Sequence, residues 1–299
     1  MHLHQLKYFV SIVETGSVTK AAERCFISQP SLSQQLRKLE GGVGRDLFVR
    51  AKGKMTLTNA GQILYEHARK ILNEVEEAKR EVKGVDDTSG GAVAIGILPT
   101  LAPFMLPSVL AALAEAFPDA TVTIREEVSE VIVAALARSE LDLLIEVLPF
   151  DESNVQVEPL FIDEFYVAVH ESHPLAELDV VSVDALHGTP FILLDDVHCL
   201  TRQIQQYCFA ELFTPKVLFQ ASQLGTVKHL IEQQYGVSIL PRICIEGDPR
   251  PTIRYIPIQD PTPSRQVVLA TAQNRYLSPA AKRFAEIVRE QYQAASADA

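Results

Sequence analysis

A short turn-forming segment, residues 84–91 (GVDDTSGG), divides the chain into two stretches with different patterns. Its glycines, serine and aspartates favour loops over helices or strands. Before the segment, apolar residues recur at helical spacing; after it, apolar runs of strand length alternate with helical patterns. A length of 299 residues also suits about two domains. The sequence therefore predicts a helical head and a separate α/β body, joined by a flexible linker over 85–91.

The head is basic although the chain as a whole is acidic. Residues 1–58 contain nine Lys or Arg and four Asp or Glu, a net charge of +5, whereas the whole chain carries −11. A basic head on an acidic body indicates that the head contacts a polyanion and that the body does not.

Composition is typical of a globular protein from a reducing compartment. Hydrophobic residues make up 47% and charged residues 22%, which excludes a disordered or collagen-like chain, and four cysteines are too few for a disulfide scaffold. The N-terminal residues lack a signal-peptide pattern. The uncharged run Ala92–Ala114 contains Gly96, Pro99, Pro103 and Pro107, which break a spanning helix. We therefore expect a cytoplasmic protein with no membrane partner.

The head contains a helix-turn-helix pattern followed by a small hairpin. A helix over about 17–25, capped by Ser17, is followed by a turn and a third helix that starts near Pro30. Alternation around Gly53 predicts a β-hairpin, the wing, over 47–58. Four apolar residues form the predicted buried face of the third helix: Leu32, Leu36, Leu39 and Val43.

The opposite face of the third helix is polar and basic. Short polar side chains can enter a major groove, while Arg and Lys reach bases and phosphates. A solvated face of a helical bundle is the alternative, but the positive charge favours double-stranded DNA. The residues expected to contact DNA on this helix and on the hairpin are Gln29, Pro30, Ser31, Ser33, Gln34, Arg37, Lys38, Arg50, Lys52 and Lys54.

A long linker helix is predicted over 59–84, after the capping residue Thr58. Its apolar residues are spaced 4, 3, 4, 3 and 4 apart, which is the pattern of two helices packed side by side. The sequence favours dimerisation over the alternative, an amphipathic helix packed on its own domain. The seam consists of Leu64, Ala68, Ile71, Val75, Ala78 and Val82.

The body, residues 92–299, alternates strands and helices, which predicts an α/β fold with largely parallel sheets. Its length allows two subdomains with a ligand crevice between them. Helices are expected near 103–116, 129–140, 198–212, 224–235 and 278–292. The strand-like runs are AVAIGIL, ATVTIRE, LDLLIEV, EFYVAVH, FILLDD, VLFQAS, VSILP and VVLATA.

These motifs together resemble the LysR-type transcriptional regulators over nearly the whole chain. In the head the specific matches are AA at 21–22, SQPSLSQQLRKLE at 28–40 and T-x-A-G at 58–61. In the body they are PT at 99–100, HPLA at 173–176 and GVSILP at 236–241. The resemblance implies a winged helix-turn-helix, a linker helix and a periplasmic-binding-protein-like effector domain of two α/β subdomains. It also implies a homodimer or homotetramer that acts with RNA polymerase, without enzymatic activity or a cofactor.

The segment LLDDVHCLTRQIQQYCF resembles the sensing segment of the peroxide-responsive OxyR subfamily. The resemblance implies redox sensing by Cys199, with Cys208 as the resolving cysteine and with His198 and Thr100 beside it. Two positions depart from that subfamily. Arg202 stands where it has an acidic residue, and Leu218 stands where it has a histidine.

Helix geometry constrains this cysteine pair. A helix N-terminus at Cys199 stabilises a thiolate, the form that attacks peroxide, whereas the neighbouring Asp195 and Asp196 oppose it. Nine residues of helix place Cys208 on the opposite face, roughly 13.5 Å along the axis. A disulfide needs Cα atoms within about 7 Å, so the segment must unwind before the bond can form.

Three other functions stay open from the sequence. The regulator could instead bind a small-molecule inducer in a crevice near Thr100, His198, Cys199 and Gln223. A thiol peroxidase would use the same cysteine chemistry, and a solute-binding protein would share the body's alternation but not the basic head. The histidines lack further ligands at metal spacing, so no metal is expected. Cys25 and Cys244 are expected to be structural.

Overall fold

The computed structural model describes residues 1–51, 54–84, 90–151, 155–210, 213–259, 261–273 and 275–293. Two compact units divide the chain, Met1–Asp86 and Asp87–Ala299. The first unit, the head, is helical apart from one hairpin. Its elements are α1 (Leu3–Thr15), α2 (Val18–Arg24), α3 (Gln29–Val43), β1 (Phe48–Ala51), β2 (Lys54–Leu57) and α4 (Asn59–Gly84).

Capping residues mark the helix starts that the sequence predicts. The Ser17 hydroxyl accepts the Lys20 N–H at 3.4 Å at the start of α2, and Ser28 accepts the Ser31 N–H at 3.3 Å at the start of α3. These bonds satisfy donors that the first helical turn leaves free. With β1 pairing antiparallel to β2, the predicted winged helix-turn-helix is confirmed.

The third helix buries less of its apolar face than predicted. Leu32 and Leu39 are fully buried, and Leu36 is half-buried. Val43 is 40% exposed, so its predicted burial is wrong. Val43 lies in the last turn of the helix, after Gly41 and Gly42. Because these glycines have no side chains, the helix end has few apolar groups that could pack in the core.

The linker helix α4 splits the predicted seam into two parts. Ala68 is fully buried and Leu64 is half-buried, and both pack in the core of the head, which includes α1. For these two residues the prediction of a dimer surface is wrong, because they face their own domain. Ile71 is 37% exposed and Val82 75% exposed. Among the seam residues described so far, only Ile71 and Val82, in the C-terminal part of α4, present an exposed apolar surface.

The start of α4 requires a glycine. The Thr58 hydroxyl accepts the Gly61 N–H at 2.9 Å, which caps the helix. A Cβ atom at Gly61 would lie 2.1 Å from the Leu47 carbonyl oxygen, so any other residue would collide with the backbone. The T-x-A-G motif therefore fixes how α4 leaves the hairpin.

The second unit, the body, is α/β as predicted. Its first strand, Ala92–Ile97, and its first helix, Ala102–Ala116, account for the uncharged run near residue 92. Within the described ranges, none of the helices combines the length and apolarity that crossing a membrane requires. The body's elements are β3 (Ala92–Ile97), α5 (Ala102–Ala116), β4 (Thr121–Glu126), α6 (Ser129–Ala137), β5 (Leu143–Val147), β6 (Val155–His170), β7 (Pro190–Leu194), α7 (Cys199–Ala210), β8 (Lys216–Ala221), α8 (Leu224–Glu232), β9 (Ser238–Pro241), β10 (Ile253–Pro257), β11 (Ser264–Ala272) and α9 (Pro279–Tyr292).

The main sheet has the strand order β10-β6-β11-β5-β3-β4, with β9 also beside β6. β3 pairs parallel with β4 and β5, and β7 pairs parallel with β8. The prediction of largely parallel sheets is wrong for β6, whose pairings with β9, β10 and β11 are all antiparallel. The reason is that β6 spans 16 residues and connects two sheet regions instead of ending in one.

Two hydrophobic cores define the two subdomains of the body. One core contains β3, β5, α5, α6 and α9 residues, and the other contains β7, β9, α7 and α8 residues. The first part of β6 pairs with β11, and its last part pairs with β9 and β10. The subdomains therefore share β6, and α6 and α7 belong to opposite sides of the division.

Candidate functional site

The exposed face of α3 carries the residues predicted to contact DNA. Ser33 is half-buried, and its oxygens accept hydrogen bonds from Gln29 Nε2 at 3.3 Å and Arg37 Nε at 3.5 Å. In the part of the chain that the structure describes, no carboxylate pairs with Arg37 or Lys38. Lys52 and the side chains of Arg50 and Lys54 lie outside the described residues. The exposed residues of this face are Gln29, Pro30, Ser31, Gln34, Arg37 and Lys38.

The two cysteines predicted to form a redox pair lie at opposite ends of one helix. Cys199 is the first residue of α7, and Cys208 lies two residues before its end. Cys199 is half-buried and packs against the core of the first subdomain, whereas Cys208 is fully buried in the second. Both are free thiols. A nine-residue separation along a helix corresponds to roughly 13.5 Å, so the two thiols are not positioned for a disulfide.

A cavity of about 520 Å³ lies beside Cys199. Arg202 of α7 and Glu130 of α6 form an ion pair with an N–O distance of 2.6 Å, which joins the two subdomains at this cavity. Arg202, which departs from the OxyR pattern, thus has an acidic partner on another helix. The polar residues that line the cavity are Ser129, Glu130, Asp151, Arg202, Gln203 and Gln206.

A buried polar cluster holds Thr100. Arg265 donates from Nη1 to the Thr100 hydroxyl at 3.1 Å and from Nε to the Asp163 carboxylate at 3.0 Å. The Cys244 thiol donates to the Thr100 carbonyl oxygen at 3.6 Å. All four residues are buried. Thr100 lies just before α5, Asp163 in β6, Arg265 in β11, and Cys244 in the short 3-10 helix after β9, so only tertiary folding brings them together.

Of the four residues predicted to line an effector pocket, Cys199 lines this cavity, and the other three are not among its lining residues. Thr100 is 2% exposed, and its hydroxyl accepts a hydrogen bond from Arg265. His198 is 9% exposed, and its backbone N–H donates to the Asp195 carbonyl oxygen at 3.0 Å. Gln223 is exposed at the N-cap of α8 and is not among the residues that line this cavity.

The surroundings of Cys199 oppose ionisation of its thiol. Burial and then the charge of Glu146 raise the pKa of Cys199 to about 11, although Arg265 and Arg202 lower it. Burial raises the pKa of Cys208 to about 11 as well. Asp195 and Asp196, which were expected to oppose ionisation, are not among the main causes of this shift. Asp195 accepts the Ser222 hydroxyl, and Asp196 accepts the Gln220 amide.

Glu146 is a site residue that sequence reasoning missed. It lies in β5 and is fully buried. Burial raises the pKa of Glu146 to about 7, against the influence of the Val147 N–H, the Ser129 hydroxyl and Arg265. The available signal was the second of the two acidic residues in the largely apolar run LDLLIEV, since Glu is almost never fully buried without a partner.

Ser129, Glu130, Gln203 and Arg265 were also missed, because their roles depend on contacts between separate elements.

No group of three His, Cys, Asp or Glu that could hold a metal ion occurs among the described residues. A helix-turn-helix head and a two-subdomain body with a cavity together define the class of protein: a transcriptional regulator.

The chain belongs to the LysR family. The family described as bacterial regulatory helix-turn-helix protein, lysR family, matches residues 3–62, and the LysR substrate binding domain matches residues 86–293. These regulators bind DNA and are not enzymes.

Proteins named for peroxide responses are among its relatives. The hydrogen peroxide-inducible genes activator of Haemophilus influenzae is 33% identical over 92% of this chain and 94% of that protein. A full-length cysteine-to-aspartate variant of Pseudomonas aeruginosa OxyR is 28% identical, with a TM-score of 0.74, covering 97% of this chain and 94% of that one. A cysteine variant of Corynebacterium glutamicum OxyR with hydrogen peroxide bound is 31% identical, with a TM-score of 0.63, over 99% and 94%.

Proposed function

We propose that this LysR-family regulator senses hydrogen peroxide through Cys199, with Cys208 as the resolving cysteine. The observation that carries the proposal is the placement of both cysteines in α7, with Cys199 at its first residue and on a cavity. The peroxide responses named for its relatives support the same signal.

The chemistry proceeds in two steps. The Cys199 sulfur attacks one peroxide oxygen, the O–O bond breaks, and a sulfenic acid and water result. The Cys208 thiol then attacks the sulfenic sulfur and releases a second water as the disulfide forms. Burial raises the pKa of both thiols to about 11, so both are mainly protonated at neutral pH before peroxide arrives.

The disulfide requires α7 to unwind. Cys208 is buried in the second core and Cys199 packs on the first, so bringing their Cα atoms within about 7 Å disrupts contacts in both subdomains. Oxidation thereby changes the packing between subdomains, which is the change that a switch must transmit. In this proposal His198, which directly precedes α7, and Thr100, which is held by Arg265, assist the reaction at Cys199.

The head delivers this signal to promoter DNA. The exposed face of α3 suits the major groove, and Arg50, Lys52 and Lys54 of the wing extend the contact to phosphates. The exposed Ile71 and Val82 of α4 support a dimer that reads two half-sites, within a homodimer or homotetramer that acts on RNA polymerase in the cytoplasm. Sedimentation of the full chain should show a dimer or larger assembly, and a monomer would contradict this.

Substitution of the cysteines tests the sensing proposal. Mild peroxide should give a Cys199–Cys208 disulfide and a changed DNA footprint in the wild type. Cys199→Ser should abolish both, and Cys208→Ser should leave a longer-lived sulfenic acid. Cys25→Ser, in the head, is the matched control and should respond normally. Peptide mass mapping and footprinting measure these outcomes.

A second candidate signal is a small-molecule inducer. The cavity beside Cys199, at about 520 Å³, has the size of a small-molecule site and exceeds what peroxide alone needs. If Cys199→Ser responds to peroxide like the wild type, the sensing proposal fails and the inducer takes its place.

A further inference from the structure

The cavity beside Cys199 lies between one face of α6 and one face of α7. Its lining residues recur over 129–137 on α6 and over 199–206 on α7, at the spacing of a single helix face. At 1.5 Å per residue, these faces extend about 12 Å and about 10 Å. The cavity is therefore long enough for a small organic molecule that reaches the Cys199 thiol.

The volume of the cavity exceeds what hydrogen peroxide needs. The cavity measures about 520 Å³. A water molecule takes about 30 Å³ in the liquid, so a peroxide of two oxygen atoms takes roughly 60 Å³. Most of the space beside the thiol is then open to the remaining atoms of a larger oxidant.

Much of the cavity wall is apolar. Val133, Ala134 and Phe150 are half-buried, and Val155 is buried at the start of β6. Apolar side chains that face an open space favour an apolar ligand group, because contact removes both surfaces from water. The apolar lining residues are Val133, Ala134, Ala137, Pro149, Phe150 and Val155.

An unused hydrogen-bond acceptor lies near the thiol. Gln203 follows Cys199 by four residues, so both side chains lie on the same face of α7 and line the cavity. Its Nε2 donates to the Leu148 carbonyl oxygen at 3.2 Å. Its buried Oε1 has no hydrogen-bond partner among the described residues. A ligand O–H group beside Cys199 can therefore donate to this oxygen.

The charges at the cavity favour an uncharged ligand. Arg202 is already paired with Glu130 at 2.6 Å. Asp151, which also lines the cavity, is exposed and adds a negative charge. An anionic ligand would have to compete with Glu130 for Arg202, whereas an uncharged one leaves the pair intact.

We infer that the cavity favours an uncharged organic hydroperoxide over hydrogen peroxide, with its apolar group against α6 and Phe150 and its O–OH group at Cys199. This inference rests on the proposed function, because it needs Cys199 to react with peroxides, and it names the class of peroxide.

The reaction balances in atoms and electrons. The Cys199 sulfur attacks the terminal peroxide oxygen, the S–O bond forms and the O–O bond breaks. The thiol proton passes to the departing alkoxide, which becomes an alcohol. Sulfur is oxidised by two electrons to the sulfenic acid, and the hydroperoxide is reduced by two electrons to the alcohol.

Oxidation of the wild-type protein by three peroxides tests the inference. Timed mass mapping measures the rate of Cys199 oxidation by hydrogen peroxide, tert-butyl hydroperoxide and cumene hydroperoxide, and N-acetylcysteine gives the intrinsic rates of a free thiol. At about 25 cal/mol per Å², burial of about 60 Å² of apolar ligand surface favours the reaction about tenfold.

The expected result is a rate ratio that grows with the apolar group. The ratio of cumene hydroperoxide to hydrogen peroxide should be about tenfold higher for Cys199 than for N-acetylcysteine, with tert-butyl hydroperoxide between them. Equal or lower ratios in the protein would overturn the inference.

A variant that fills the cavity sharpens the test. Ala134→Leu extends the α6 wall into the space that the apolar group needs, so it should lower the ratio of cumene hydroperoxide to hydrogen peroxide rates about tenfold. The matched control is Ala114→Leu, at an exposed position of α5 that does not line the cavity, and it should keep the wild-type ratio. An unchanged ratio in Ala134→Leu would contradict the inference.

The outcomes separate the inference from the proposed function. If none of the three peroxides oxidises Cys199, both fail. If hydrogen peroxide oxidises Cys199 and the rate ratios match those of N-acetylcysteine, only the inference fails. If Ala134→Leu does not fold, the wild-type ratios decide alone.

Discussion

Two helices with proposed functions, α3 in the head and α7 in the body, present their polar residues in opposite ways. The polar side chains of α3 are mostly exposed, and Arg37 and Lys38 have no acidic partner among the described residues. Around α7, the polar groups are buried or paired, as with Arg202 and Glu130. The proposed DNA-contacting surface leaves its charges unpaired, whereas charges around the proposed sensing cysteine are paired within the fold.

The largest loss of stability should come from a substitution in the buried ion-pair cluster of the body. Arg265→Ala removes a cation that is fully buried against Asp163 and leaves that carboxylate without its charge partner. Breaking one partner of a buried pair typically costs about 3–5 kcal/mol, so the free energy of unfolding should fall by that amount. Denaturant unfolding of the variant measures it.

Arg242→Ala is the control for this prediction. Arg242 pairs with Glu246, but both side chains are more than half exposed. Its loss should cost less than about 1 kcal/mol. Equal losses for the two variants would show that the buried cluster contributes no special stability.

On the exposed side, a substitution should change binding and leave stability unaltered. Arg37→Ala should weaken operator binding by about 1–3 kcal/mol, the value of a bidentate contact to a base. The free energy of unfolding should stay within about 0.5 kcal/mol. Gel-shift titration at two salt concentrations measures the affinity, with Lys7→Ala of α1 as a control of equal charge. An unchanged affinity for Arg37→Ala would remove α3 from the DNA contact.

The smallest effect should come from the ion pair at the cavity. Arg202→Gln breaks the contact with Glu130, whose pKa is lowered mainly by that hydrogen bond. Because both side chains are about half exposed, the expected loss of stability is below about 1 kcal/mol. Thermal unfolding at pH 7 checks this, and a loss near that of Arg265→Ala would mean that the pair locks the subdomains together.

The same contrast explains what the sequence predicted well. The α3 surface follows from one helix's own spacing, so the helix start near Pro30 and the exposure of Gln34 and Arg37 could be predicted locally. The cap at Thr58 could be predicted in the same way, because it and Gly61 lie only three residues apart in the chain. The start of α7 at Cys199 agrees with its prediction for the same reason.

The sensing site was only partly predictable, because its parts are distant in the chain. Cys199 was found by resemblance, but Glu146, Ser129 and Arg265 come from a strand, a helix and a second strand. No local period connects them. In the fold, the first part of β6 and all of β10 were missed, since Glu158, Pro159 and Arg254 interrupt their apolar patterns.

In the proposed mechanism, the single helix that carries both cysteines also sets how oxidising the cell must become before the regulator responds. If α7 must unfold before the disulfide closes, the stability of this helix lowers the free energy of the reduced state and opposes oxidation. For a two-electron couple, about 1.4 kcal/mol corresponds to about 30 mV. Substitutions at exposed positions of α7, such as Gln206 or Ala210, would then adjust the response threshold without touching either sulfur. The same helix, by refolding after reduction, would reset the sensor.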